Sequence, residues 1–244
     1  MNFIEGGIIY INKPYGMTSF GALAHIRFVL TRQLGVKRIK TGHAGTLDPL
    51  ATGVLILCTG HMTKHIDELQ QLTKEYTATL QLGATTPSYD REHTVDATYP
   101  TSHITRELIE TTLKRFVGDI EQVPPAYSAC KINGKRAYLL KRKGRDVELK
   151  PKVVHIYEIE LTAFDAASMT MSIRVVCGKG TYIRALARDI GKVLGSGAFL
   201  TALCRTRVGD VTIDKCVTLD EFPEWLRSQC EPSADAEKAV TPHN

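Results

Sequence analysis

Apolar positions recur along the chain with two periods, one near 3.6 residues and one of two residues, the signatures of helices and half-buried strands. Gly7 to Asn12 reads as a strand closed by Pro14 and Gly16. Thr18 and Ser19 then cap a helix whose Phe20, Leu23, Ile26 and Leu30 fall three and four apart, ending near Gly35. Residues 41 to 53 form a loop rich in Gly and Thr, and Val54 to Cys58 is an apolar run short enough for a buried strand. A short helix over Thr63 to Leu72 precedes a strand in which Tyr76, Ala78, Leu80 and Leu82 alternate. After a polar stretch from Ala84 to Ser102, Ile104-Thr105 opens a helix carrying Leu108, Ile109, Leu113 and Phe116, stopped by Gly118. Pro124-Pro125 is an extended connector, and Asn133-Gly134 a turn between a short strand and a basic helix. Val153 to Phe164 and Met169 to Cys177 pair as strands, and Tyr182 to Leu194 is helical. Phe199 to Ile213 fits either period. Strands and helices mix without regular βαβ alternation, which predicts an α+β domain with a mixed, mostly antiparallel sheet flanked by helices.

The 244 residues suffice for a core without disulfide or metal staples, and 43% apolar with 23% charged residues is a globular composition. No run approaches a membrane span, and the N-terminus has no basic start, so neither a signal peptide nor a membrane location is expected and the cytoplasm is the expected site. The six cysteines form no C-x-x-C pair and read as small buried hydrophobes. The eight histidines are scattered, so no metal site is expected.

Charge changes the picture more. The net charge is only +5, yet residues 131–152 hold nine basic residues, Lys131 among them, against two acids. From Asp220 onward the chain is acidic, and Glu231 to Asn244 has the composition of a disordered tail. A basic block on a near-neutral protein suits a polyanion or a solvated helix face; Tyr127 and Tyr138 nearby favour nucleic acid, because aromatic rings stack on bases.

Two segments could carry chemistry. Residues 42–53 combine His43, three glycines, Thr46, Thr52 and a lone acid, Asp48, with no Lys or Arg nearer than Lys40. Pro49 biases Asp48 toward an extended conformation, so the segment is either a turn into the next strand or a loop displaying a carboxylate. Cys177 to Arg184 runs from a strand end into a helix start through Gly178 and Gly180, with Thr181 as the expected N-cap and Arg184 one turn in. Lys13 to Ser19 and Lys74 to Tyr76 have ordinary structural readings as a tight turn and a strand start.

Together these segments resemble the TruB family of pseudouridine synthases. Gly42-His43-Ala44-Gly45-Thr46-Leu47-Asp48-Pro49 with Ala51-Thr52-Gly53 resembles its signature. Lys13-Pro14, Lys74-Glu75-Tyr76 with Asp90, Pro124-Pro125-Ala126-Tyr127-Ser128-Ala129 with Lys131, and Gly180-Thr181-Tyr182-Ile183-Arg184 resemble its other motifs, in the family's order. The resemblance implies a pseudouridine synthase fold and isomerisation of the T-loop uridine, position 55, of tRNA, with no cofactor or metal chemically required and no obligatory protein partner. It places the catalytic carboxylate on Asp48, which must be ionised to attack carbon or remove a proton, and Arg184 beside it with Asp90 behind. It puts Tyr76 against the target base, as a stacking ring that could also help remove the C5 proton, and Tyr182 at the active site. His43 would wedge into the loop as the uridine is extruded, and Leu203 would line the pocket. Lys13, Gly45, Thr46, Leu47 and Lys131 fall in motifs that contact or shape the substrate site.

The chain departs from the family pattern at Phe199-Leu200 and Cys204-Arg205, where a His with an apolar residue and an Arg pair are usual, which bears on RNA contacts there. It also reads as a catalytic domain over residues 1–230 and a tail over 231–244, without the C-terminal PUA domain of many relatives. A synthase guided to another RNA by partners, and an RNA-binding module in which Asp48 is only a turn residue, are the alternatives. Neutralising Lys141, Arg142 and Lys143 should flatten the salt dependence of tRNA affinity by roughly 0.7–0.9 in log–log slope per lost phosphate contact. An unchanged slope would mean that the block points away from RNA.

Overall fold

The computed structural model describes residues 2–128, 130–132, 135–136 and 149–230. Its centre is a nine-stranded sheet of β1 (Ile8–Lys13), β2 (Thr41–His43), β3 (Thr52–Thr59), β4 (Lys74–Leu82), β7 (Gly118–Gln122), β10 (Lys152–Asp165), β11 (Thr170–Cys177), β12 (Ala198–Val208) and β13 (Val211–Thr212). The order is β1-β3-β12-β4-β11-β10-β7, with β2 on β3 and β13 on β12. Every pairing is antiparallel except β12 with β3. Two small ribbons, β5 (Ala84–Thr85) with β6 (Ala97–Thr98) and β8 (Lys131–Ile132) with β9 (Lys135–Arg136), stand apart from it. The helices are α1 (Ser19–Gln33), α2 (Ile66–Gln71), α3 (Arg106–Lys114), α4 (Ile183–Val193) and α5 (Phe222–Cys230). The mixed, mostly antiparallel α+β architecture agrees with the sequence pattern.

Two cores hold the layers. In one, the alternating Tyr76, Ala78, Leu80 and Leu82 of β4 and Met171, Ile173 and Val175 of β11 pack under Ile109 and Leu113 of α3 and Ile183, Leu186 and Ile190 of α4. In the other, Leu23, Ile26 and Leu30 of α1 and Phe222 and Leu226 of α5 cover Ile9, Ile11, Leu55 and Leu57 of β1 and β3. Thr18 caps α1, accepting from the Gly21 N–H at 2.9 Å, and Thr105 caps α3 through Leu108 N–H.

Several local expectations change. Phe199 to Ile213 becomes β12 and β13, because neighbours on both sides supply strand partners: β4 antiparallel and β3 parallel. Residues 41–43 of the expected loop pair with β3, and β7 and α5 are elements that the hydrophobic period did not disclose. Phe20 is 64% exposed, since the buried stripe of α1 runs through Ala22, Leu23, Ile26 and Leu30 instead. Thr181 is not the N-cap of α4; its hydroxyl donates to Gly178 O and the cap position is Tyr182. The Asn133-Gly134 turn, the basic helix with Lys141, Arg142 and Lys143, and the 231–244 tail lie outside the described residues.

The parallel pairing of β12 with β3 carries a steric demand. Gly53 has φ +103°, and a β-carbon there would lie 2.2 Å from Arg205 O. Gly53→Ala should therefore lower unfolding stability by about 2 kcal/mol or more, read from urea midpoints. A midpoint equal to that of the native chain would refute the close approach.

Candidate active site

The Asp48 loop links β2 to β3 across the ends of the central strands. Asp48 to Ala51 form a turn in which Asp48 O accepts from Ala51 N–H at 3.1 Å, with Pro49 at its second position. So the turn reading and the displayed-carboxylate reading both describe the same residue. Loop carbonyls outside helix or sheet need donors, and three buried side chains supply them. Ser19 Oγ donates to Leu47 O at 2.9 Å and accepts from Leu47 N–H at 2.8 Å. Lys13 Nζ donates to Pro14 O, Met17 O and, at 3.4 Å, Pro49 O. Arg205 donates to Val54 O at 2.7 Å and to Gly45 O at 3.2 Å.

The Asp48 carboxylate meets Arg184, whose Nε donates to Oδ2 at 2.8 Å. Arg184 is 4% exposed, and its remaining nitrogens are matched by Ser88 O (3.1 Å) and Tyr127 O (2.9 Å). Asp90 stands behind it at 3.6 Å through Oδ2. The shorter bonds of Asp90 go to its own loop: Oδ1 accepts from Ser88 Oγ (2.6 Å) and Glu92 N–H (2.9 Å). Asp90 thus shapes the loop that offers the Ser88 carbonyl. The start of α4 lacks a side-chain cap of its own, and Gln122 Oε1 on β7 accepts the Tyr182 N–H at 2.8 Å.

These elements enclose a cleft of about 500 Å³, lined by Gly45, Thr46, Leu47, Asp48, Tyr76, Tyr182, Arg184 and Leu203, together with Lys74, Lys152, Lys179 and Arg205. Eight of the expected site residues therefore meet in one place. His43 lies outside the lining, at the end of β2 opposite Leu57, and Lys13 is buried beneath the loop, where it holds the backbone rather than facing the cleft. Asp90 lines a smaller adjoining cavity with Asp48, Arg184 and Leu203. The Lys131 side chain lies outside the described residues.

Sequence reasoning gave no role to Gln122, Ser88, Lys74, Lys179 or Arg205, and counted Lys152 only within the basic block. Lys74 and Lys179 stand inside the tyrosine- and glycine-bearing segments, so position was a usable signal for them. Arg205 was visible only as the one Arg left where the family usually has a pair, and its place depends on register: it pairs with Gly53 of β3 on one side and Tyr76 of β4 on the other.

Burial and crowded cations tune the site. Burial, with Arg205 nearby, pulls Lys13 down to about 8 against the opposing pull of Asp48. Burial and Arg205 likewise bring Lys74 to about 8. Burial raises Tyr76 above the usual phenol range, opposed by Arg205, so it stays a neutral ring on the cleft floor. Burial also raises Tyr182, opposed by a hydrogen bond with Ser128. The site can hold a flat neutral base against Tyr76 with a carboxylate at its edge and lysines at its rim.

Two family models match adjoining stretches of the chain: TruB family pseudouridylate synthase, N-terminal domain, over residues 31–183, and tRNA pseudouridylate synthase B C-terminal domain over 184–243. The chain belongs to the TruB family of pseudouridylate synthases. Within that family it is similar to the tRNA pseudouridine synthase B of Bacteroides fragilis, 62% identical over 94% of this chain and 97% of the relative. The enzyme of the same name from Phocaeicola vulgatus is 63% identical over the same shares. Among solved structures, a chain of a Cbf5-Nop10-Gar1 complex superposes with a TM-score of 0.69 at 28% identity, over 94% of this chain and 58% of that one. The TruB-family chain thus spans a little over half the length of that solved chain. The boundary between the two models falls at the start of α4, between Ile183 and Arg184, and the second model includes β12, third in the sheet order.

The buried lysine makes a sign-definite prediction. Below about pH 8 Lys13 is protonated in both folded and unfolded chain, and its burial cost is fully present. Between about 8 and its ordinary 10.5 the unfolded chain binds more protons, so stability rises with pH and levels off above that window. The stability of the native chain relative to Lys13→Met, from urea midpoints across this window, should therefore increase with pH. A constant difference would show that Lys13 keeps its ordinary titration.

Proposed function

We infer that this chain converts uridine 55 in the T-loop of tRNA to pseudouridine, with Asp48 as the catalytic carboxylate. Family membership and the matched tRNA pseudouridine synthase B relatives support the reaction and the substrate class. The observation that carries the assignment of Asp48 is its place: one oxygen is held by the buried Arg184, while the side chain remains 37% exposed in a cleft floored by Tyr76.

The reaction breaks the bond between N1 and C1′, turns the uracil over and joins C5 to C1′; the proton on C5 leaves and N1 gains one. A carboxylate fixed on one side by Arg184 can attack the sugar carbon or take a proton from the nucleoside with its other oxygen. Tyr76 acts as a stacking surface, since its raised pKa leaves it a phenol rather than a phenolate base. Tyr182 and Leu203 close the cleft walls, and Lys152 and Lys179 at the exposed rim meet backbone phosphates. A target in a folded loop must leave its stack to enter such a cleft. Residues 1–230 act as one catalytic domain, supported by β12 lying within the sheet and by Arg184 reaching back to Asp48. No helix among the described residues is long and apolar enough to cross a membrane, and a cytoplasmic location suits a tRNA-modifying enzyme.

Mass-spectrometric mapping of unmodified tRNA incubated with the pure protein should find pseudouridine at position 55. Asp48→Asn should lower turnover by at least roughly 10³-fold while leaving tRNA affinity within a few-fold. Normal turnover in that variant would remove Asp48 from the chemistry.

A further inference from the structure

From residue 6 to residue 47 the chain has no Asp or Glu, yet it holds Lys13, Arg27, Arg32, Lys37, Arg38 and Lys40. The fold buries Lys13 and leaves the other five exposed, on the outer face of the C-terminal half of α1 and on the connection to β2. None of the five makes an ion pair among the described residues. α5 lies along α1, with Gln33 donating to Pro223 O at 3.1 Å, but Glu221 just before it is engaged by the Thr218 N–H and hydroxyl. Arg32 rests over the exposed Phe28 ring, 6.0 Å from its centroid, rather than on an acid. Five like charges gathered without counterions among the described residues repel one another, and a polyanion relieves that repulsion.

This surface and the Asp48 loop are tied together. Ser19 at the start of α1 clamps Leu47 through both its backbone groups, and Lys40 leads directly into β2, which pairs with β3 and ends at His43. Three extended residues from Lys40 to His43 span about 10 Å, and the 15 residues of α1 about 22 Å. An RNA hairpin with its loop at the Asp48 cleft continues into its stem. A duplex turns its bases inward and shows phosphates outward, and separate point charges on a convex helix face suit that sequence-independent display.

We propose that Arg27, Arg32, Lys37, Arg38 and Lys40 bind the backbone phosphates of the paired stem that carries the target loop. The assignment rests on the uridine-isomerising reading of the cleft and adds a second contact surface to it.

The test uses T-arm hairpins with a full and a shortened stem, reading both equilibrium affinity and pseudouridine formation. Lys37→Ala/Arg38→Ala/Lys40→Ala should raise KM and Kd on the full stem by roughly 10- to 100-fold, leave kcat unchanged, and flatten the log–log salt slope by about 2. On the shortened stem the native chain should already have lost most of that affinity, so the variant and native values should converge. The charge-keeping Lys37→Arg/Arg38→Lys/Lys40→Arg should behave as native, which separates lost charge from lost folding. Native affinity of the alanine variant on the full stem, or an equal loss on both stems, would overturn the proposal. Absence of pseudouridine with the native chain would instead sink the catalytic reading, while the affinity measurements would still decide the basic face.

Discussion

A guanidinium taken out of water must have its N–H groups matched, because an unpaired buried charge costs several kcal/mol. Arg184 meets that demand with Asp48 Oδ2, Ser88 O and Tyr127 O. These acceptors come from three separate segments, and Arg184 itself from the first turn of α4. Burying this one side chain therefore requires the Asp48 loop, the 86–92 loop, the Tyr127 connector and α4 to be in place together. Asp90 and Gln122 serve the same end, one by folding the Ser88 loop and the other by holding the Tyr182 N–H. The carboxylate is presented to the cleft in one orientation because its partner has no other place to go.

The backbone around Asp48 is held in the same manner. Gly45 to Pro49 run outside the sheet, so their carbonyls depend on Lys13, Ser19 and Arg205. Concentrating cations under a loop has an electrostatic consequence: Lys13 and Lys74 are both drawn down to about 8 by burial and by Arg205. Asp48 opposes this at Lys13, so the cleft carboxylate and its support are coupled by charge as well as by hydrogen bonds. A loop fixed from beneath suits chemistry that needs a carboxylate at a set distance from a sugar carbon.

Asp48, with a basic surface on either flank in sequence, explains how a modest net charge can serve an RNA enzyme. Lysines at the cleft rim place positive charge beside the reactive group, and the exposed cations of α1 and of the connection to β2 add a second basic surface. Charge distribution, not total charge, defines the face that RNA meets.

Short-range periodicity was enough to read β4, β10, β11, α1, α3 and α4, because each buries a face whose spacing is local. The motif residues Asp48, Tyr76, Tyr182 and Arg184 were legible as a set only through their resemblance to the TruB motifs; residue type alone left turn, strand and cap readings open. What could not be read was whatever depends on partners distant in the chain. The strand state of residues 198–208 comes from β3 and β4, and the burial of Arg205 follows from that register. The same holds for Lys13, which looks like a surface lysine in a turn and becomes a buried clamp, and for Phe20, which follows a helical period yet faces water. A sequence states which side chains are available and how they repeat; only the packed sheet decides which carbonyl or carboxylate each finds, because desolvation selects among partners that never meet until the chain has closed on itself.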